Sequence, residues 1–150
     1  MIQGKWFPQG SDLTDALRIR NEVFGRGGDA LDAEAQSTVV YLDDIPVATG
    51  RIWWQAGVFW LGDIGVLSNY RGKKLGDLTL RLLLFKAQEH FAREVRLICP
   101  PDTEEFFTRL GLRRADTQRE GLLELWMPGD EIDLDSCKSC KKKDCPNRSE

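Results

Sequence analysis

The sequence has one histidine, His90, in 150 residues. A Ser-His-Asp triad or a His-rich metal site has almost nothing to build from. No apolar run reaches the roughly 18 residues that a membrane span needs. The opening residues Met1-Ile2-Gln3-Gly4-Lys5-Trp6 lack the charged-then-apolar order of a secretory signal. A cytoplasmic protein with no membrane partner is therefore expected. Cationic excess is missing too: Lys and Arg number 21 against 24 Asp and Glu, and the pI is near 5.3. That balance argues against a nucleic-acid partner held by phosphate neutralisation. What is present is 41% hydrophobic and 30% charged, a globular composition at the length of one domain.

The chain divides near residue 128. After Met127-Pro128-Gly129-Asp130 the only aliphatics are Ile132 and Leu134, and no aromatic residue remains. Residues 1–128 read as the domain, and 129–150 as a Cys/Lys-rich tail that cannot form a core of its own. Cys137, Cys140 and Cys145 sit in that tail as C-x2-C-x4-C, and Cys99 stands alone upstream. Without a secretory signal, this spacing reads more readily as metal or redox chemistry, with Zn or Fe as the metal, than as a structural disulfide. A closed tetrahedral site needs a fourth ligand. Cys99, His90, a carboxylate or another chain would have to supply it. A plain reduced tail is the competing reading.

Within 1–128, strands are expected at Gln3 to Phe7, Ser37 to Leu42, Val47 to Trp54, Val58 to Leu67 and Glu94 to Cys99. A closing hairpin-like pair is expected at Leu112 to Ala115 and Leu122 to Met127. Ser11 or Asp12 can cap a helix from Leu13 to Phe24, and Gly25, Gly27 and Gly28 stop it. A long helix is expected from Leu75 to about Arg93, and a short one near Phe106, Phe107 and Leu110 that ends at Gly111. Val58 to Leu67 carries apolar residues on both faces, as a covered central strand does. Trp53, Trp54 and Trp60 fall on adjacent strands, where core packing is the expectation. Trp53 or Trp54 could instead wall a pocket.

The most informative stretch is Ser68-Asn69-Tyr70-Arg71-Gly72-Lys73-Lys74-Leu75-Gly76, a polar loop between a strand and a helix. The first N–H groups of a helix lack intrahelical partners, and the macrodipole favours negative charge there. Gly72 and Gly76 let backbone approach a phosphate closely. Arg71, Lys73 and Lys74 form a local basic cluster in an acidic protein. The loop is neither a Walker A motif nor a G-x-G-x-x-G fingerprint. It reads as a pyrophosphate site.

Val66-Leu67-Ser68-Asn69-Tyr70-Arg71-Gly72-Lys73-Lys74-Leu75-Gly76 resembles motif A of the GNAT superfamily of acyl-CoA N-acyltransferases, Gln/Arg-x-x-Gly-x-Gly/Ala after the fourth strand. Arg71 and Gly76 match its first and last positions. Phe106 to Leu112 resembles the family's late Phe-Tyr-x-x-x-Gly-Phe segment, Leu17 to Phe24 the first helix of one branch, and Ile45 to Arg51 its second hairpin. The resemblance implies an α/β (α+β) fold: a mixed, mostly antiparallel sheet splayed between strands 4 and 5 and flanked by helices. Acetyl-CoA as cosubstrate would enter the splay. Backbone groups of Ile64 and Val66 would pair with the pantetheine arm. Arg71, Gly72, Lys73, Lys74, Leu75 and Gly76 would surround the pyrophosphate. Lys74 stands where the motif has its first Gly, Phe107 where a Tyr often protonates the leaving thiolate, and Pro100 where an Asn often contacts the cofactor.

The implied reaction is direct acetyl transfer to a primary amine: a small amine, a lysine side chain or an N-terminal amine. The amine must be neutral to attack, so a base is needed, directly or through water. Asp63 is the first candidate, expected on one strand face with Phe59, Leu61 and Leu67. Glu22 is the second. Asp29, Asp32 and Glu34, near the Gly25–Gly28 loop, would favour a cationic acceptor. A CoA-binding regulatory module without turnover and a metal- or redox-responsive protein are the alternatives. A homodimer is left open.

Overall fold

The computed structural model describes residues 1–117 and 120–132. The tail cysteines Cys137, Cys140 and Cys145, and the metal site expected of them, lie outside the described residues. Strands β1 (Ile2–Phe7), β2 (Gln36–Leu42), β3 (Ile45–Gln55), β4 (Val58–Val66), β5 (Glu94–Cys99), β6 (Arg113–Arg114) and β7 (Leu123–Pro128) form one sheet in the order β1-β2-β3-β4-β5-β7-β6. Every neighbouring pair is antiparallel except β4 and β5. Helix α1 (Thr14–Phe24) lies on one face, α2 (Leu75–Glu89) packs on the other, and the short α3 (Glu104–Thr108) follows β5. This is the mixed, splayed sheet that the motifs imply.

Periodicity explains the layers. Ala16 and Ile19, one helical turn apart, bury against Val39 and Tyr41 of β2. Leu80, Leu83, Leu84 and Ala87 of α2 bury against Ile52, Leu61, Val95, Leu97, Leu125 and Met127. The Asp12 carboxylate accepts the Thr14 N–H at 3.0 Å, but Leu13 rather than Ser11 or Asp12 stands at the N-cap of α1, with no side-chain cap. α2 ends at Glu89, short of the expected Arg93. Phe91 takes φ +56°, and the Ala92 N–H returns to the Ala87 carbonyl at 3.0 Å. This C-terminal turn normally announces itself with Gly, and here no Gly signals it.

None of Trp53, Trp54 or Trp60 enters the core, which corrects the packing expectation. The tip of the β3–β4 hairpin, residues 54–57, is exposed, and Trp54 is 63% exposed. Half-buried indoles carry cations instead: Lys86 stands 4.6 Å over Trp6, and Arg51 5.4 Å over Trp53.

The packed region runs past the expected boundary at 128. Residues Gly129–Glu131 form a turn held by the Gly129 N–H on the Arg93 carbonyl at 2.8 Å, and Ile132 is buried in the main core. The Gln88 side chain donates to the Ile132 carbonyl at 3.0 Å. A chain truncated after Pro128 is expected to be about 2 kcal/mol less stable than one ending after Ile132, the worth of one buried aliphatic side chain. Urea unfolding checks this, and equal midpoints would show that Ile132 is dispensable.

Candidate active site

The site begins where β4 loses its neighbour. β4 and β5 pair only from Phe59↔Val95 to Leu61↔Leu97. The β3–β4 register then shifts by one residue, so that Asp63 and Ile64 together face Gly50, with Asp63 at φ +51°. This β-bulge re-aims the strand. β5 meanwhile ends at Cys99, and Pro100-Pro101 leads the chain into α3. The Leu67 N–H donates to the Val47 carbonyl at 2.9 Å. By the alternation of an antiparallel ladder, the polar backbone groups of Val66 and Ile64 then point away from β3 and into the opening. The Arg71 Nε donates to the Val66 carbonyl from that side at 3.1 Å.

The N-terminus of α2 closes one end of the cleft. The Leu78 N–H is the first to find a carbonyl four residues back, that of Lys74 at 3.1 Å. The N–H groups of Leu75, Gly76 and Asp77 precede it and lack such a partner. A Cβ on Gly76 would stand 3.3 Å from the Phe106 ring, whereas one on Gly72 would meet nothing within 4 Å. Ile64, Val66, Arg71, Gly72, Lys74, Leu75 and Gly76 line this one cleft of about 520 Å³, and Lys73 does not. Arg109 lines the cleft too and was not foreseen, although it lies one helical turn beyond Phe106, which also lines it. A bare helix start, three cations and an unpaired strand edge suit an extended polyanion.

Lys74 takes φ +62°, a left-handed conformation that Gly adopts without a Cβ clash. In other residues it costs about 1 kcal/mol. Lys74→Gly is expected to raise the unfolding midpoint in urea slightly. Lower stability in Lys74→Gly would show that the loop carries no such strain.

Beside the opening lies an ion cluster. Arg20 of α1 is fully buried, and the side chains of Arg51 and Asp63 are 4% and 6% exposed. Arg20 donates to both Asp32 oxygens at 2.8 and 3.0 Å and to Ser37 Oγ at 3.1 Å. Arg51 donates to Asp29 at 2.7 and 2.9 Å and lies 3.0 Å from Asp63. Arg26, half exposed, grips Asp63 through both terminal nitrogens. The Arg51 guanidinium holds the Asp29 carboxyl down to about 2 against the opposing effect of burial. Asp29 and Asp32 are thus taken up in neutralising Arg51 and Arg20. This corrects the expectation that they offer free negative charge to a cationic acceptor.

Asp63 also differs from expectation. The extra residue of the bulge inverts the period-two alternation. Asp63 therefore faces Arg20 on the α1 side, while Leu61 and Ile64 belong with the α2 core. It still lines the opening, together with Arg26, Ile64, Cys99 and Phe107. Glu22 is exposed on α1 and lines neither part of the cleft. Phe107 is buried edge-on against Phe106, with ring centroids 4.9 Å apart, and presents no hydroxyl. Burial pushes the Cys99 thiol up. His90 packs near Phe59 before the start of β5, while Cys99 ends that strand, so His90 is not placed to act as a base on the thiol. Among the described residues, no group of three His, Cys, Asp or Glu could hold a metal, and no helix is long and apolar enough to cross a membrane.

A sheet splayed at a β4 bulge, with a helix N-terminus at the mouth of the splay, defines the architecture of acyl-CoA N-acyltransferases. The family model for the acetyltransferase (GNAT) family matches residues 5–112, and the chain belongs to that family. Solved structures agree on the fold. An acyl-CoA N-acyltransferase from Pseudomonas aeruginosa superposes with a TM-score of 0.75 at 18% identity, over 84% of this chain and 99% of that one. Escherichia coli ElaA gives 0.72 at 18% identity, over 84% and 99%. The PaiA N-acetyltransferase of Thermoplasma acidophilum, solved with coenzyme A, gives 0.69 at 12% identity, over 85% and 99%. No curated protein matches the sequence significantly.

Proposed function

We propose that the protein transfers an acetyl group from acetyl-CoA to a primary amine. One observation carries the reading: an unpaired β4 edge opens away from β5 and ends on the bare N–H groups of α2. In this reading Ile64 and Val66 align the pantetheine arm as an added strand would. The N–H groups from Gly72 to Gly76 hold the pyrophosphate, with Arg71, Lys74 and Arg109 around it. Acetyl-CoA supplies the acetyl group activated as a thioester. Asp63, beside Ile64 in the opening, takes the amine's proton directly or through water. Glu22, outside the cleft lining, is the weaker candidate. Phe107 offers no hydroxyl, so water rather than this side chain returns a proton to the leaving sulfur.

The test is acetylation of an amine panel (a polyamine, an aminoglycoside, lysine and a peptide with a free N-terminus), read by mass spectrometry. Acetylated product that depends on both protein and acetyl-CoA is expected. Coenzyme A binding with no product across the panel would favour a CoA-binding module without turnover. Phe107 and the guanidinium partners of Asp63 speak for that second reading.

A further inference from the structure

We infer that Arg26 occupies the seat of the acceptor's charged amine, and that the acceptor enters as a primary alkylammonium ion that displaces Arg26 from Asp63. The inference rests on the acetyltransferase reading. Asp63 touches three guanidiniums, and they differ in freedom. Arg20 and Arg51 are buried and tied to Asp32 and Asp29 as well. Arg51 cannot leave without stranding Asp29, and Arg20 cannot leave without giving up both Asp32 oxygens and Ser37. Arg26 is 51% exposed, and its side chain has no hydrogen-bonded partner but Asp63 among the described residues. Gly25, at φ +71°, and Gly27 flank it, and a Cβ on either would meet nothing within 4 Å. The loop tip is therefore loosely packed, and Arg26 can swing off Asp63 while its guanidinium keeps the Phe24 ring, now 5.2 Å away.

Charge sets the ligand class. Arg20, Arg26 and Arg51 balance Asp29, Asp32 and Asp63. Moving Arg26 out leaves one buried carboxylate charge short of a cation, and an alkylammonium ion restores the balance one for one. An alcohol, or an arylamine that is neutral at pH 7, cannot. Phe24, Ile64, Ile98 and Phe107 are among the other residues that line this opening, and they give apolar walls for an alkyl stem.

The test titrates n-butylammonium into the full-length protein without acetyl-CoA, followed by amide chemical shifts, with n-butanol as the neutral isostere. Arg26→Ala and Arg26→Gln are expected to bind the cation about fivefold more tightly than the parent, the size of a half-exposed ion pair of about 1 kcal/mol. Arg26→Lys, which keeps a tethered cation, is expected to stay near the parent, and butanol to gain nothing. Unchanged or weaker butylammonium binding in both Arg26→Ala and Arg26→Gln would overturn the inference. In turnover, the KM for butylamine should fall by the same factor while that for acetyl-CoA stays. Tighter binding without acetylation would overturn the acetyltransferase reading alone. Acetylation with an unchanged amine KM in Arg26→Ala would overturn this inference alone.

Discussion

Gly76→Asp is expected to lower the affinity for coenzyme A by about 100-fold, or about 2.7 kcal/mol, while the protein stays folded. The new Cβ meets Phe106 at 3.3 Å, a contact relieved by a few tenths of an ångström of ring movement. An acidic side chain in the first turn of α2 suits the helix macrodipole, so the helix itself does not suffer. The loss falls on binding. The carboxylate enters the space where the bare N–H groups would meet a pyrophosphate, and it carries the same sign of charge. Gly76→Ala separates the two causes, since it adds the Cβ without the charge and should cost far less. Calorimetry that finds unchanged affinity in folded Gly76→Asp would remove the pyrophosphate from this loop.

Asp63→Asn should have the largest effect on stability, a loss of about 3 kcal/mol. The amide keeps the shape but withdraws the charge that faces Arg51 at 3.0 Å, Arg20 at 3.7 Å and Arg26. Two of those guanidiniums are buried, their Nε atoms already lack hydrogen-bond partners, and Asp29 and Asp32 alone then face them. If Asp63 also receives the amine's proton, the acetylation rate falls by about 10²-fold in conditions where the variant is folded. Urea unfolding and turnover at low temperature read the two effects separately. Lost stability with full turnover would leave Asp63 as a counter-ion, and unchanged stability would contradict the buried cluster.

The fold was legible because its signals are local. Leu75 to Glu89 carries helical spacing behind a Gly-containing loop, and Pro100-Pro101 ends β5 visibly. The cleft residues from Ile64 to Gly76 were legible for the same reason, since they are contiguous in the chain. The ion cluster was not, because it joins α1, the following loop, β3 and β4 across the tertiary fold. Two faint marks existed. Arg20 continues the Ala16, Ile19, Val23 stripe, and Arg51 interrupts an apolar strand. The bulge left only a faint mark, Gly62 and Gly65 on either side of Asp63 and Ile64 within the strand. A single extra residue at Asp63 moves a side chain to the opposite face, and a strict period-two reading cannot anticipate it. The tryptophans misled by size alone. Large apolar rings on adjacent strands read as core, but the β3–β4 hairpin tip that carries Trp54 is exposed.

The most direct measurement is the amide chemical-shift map of the full-length protein titrated with coenzyme A. The account predicts saturable changes concentrated at Ile64, Val66 and the N–H groups from Gly72 to Gly76, with one site per chain. Absence of change up to millimolar ligand, or changes centred instead on the exposed tip of the β3–β4 hairpin at residues 54–57, would contradict it.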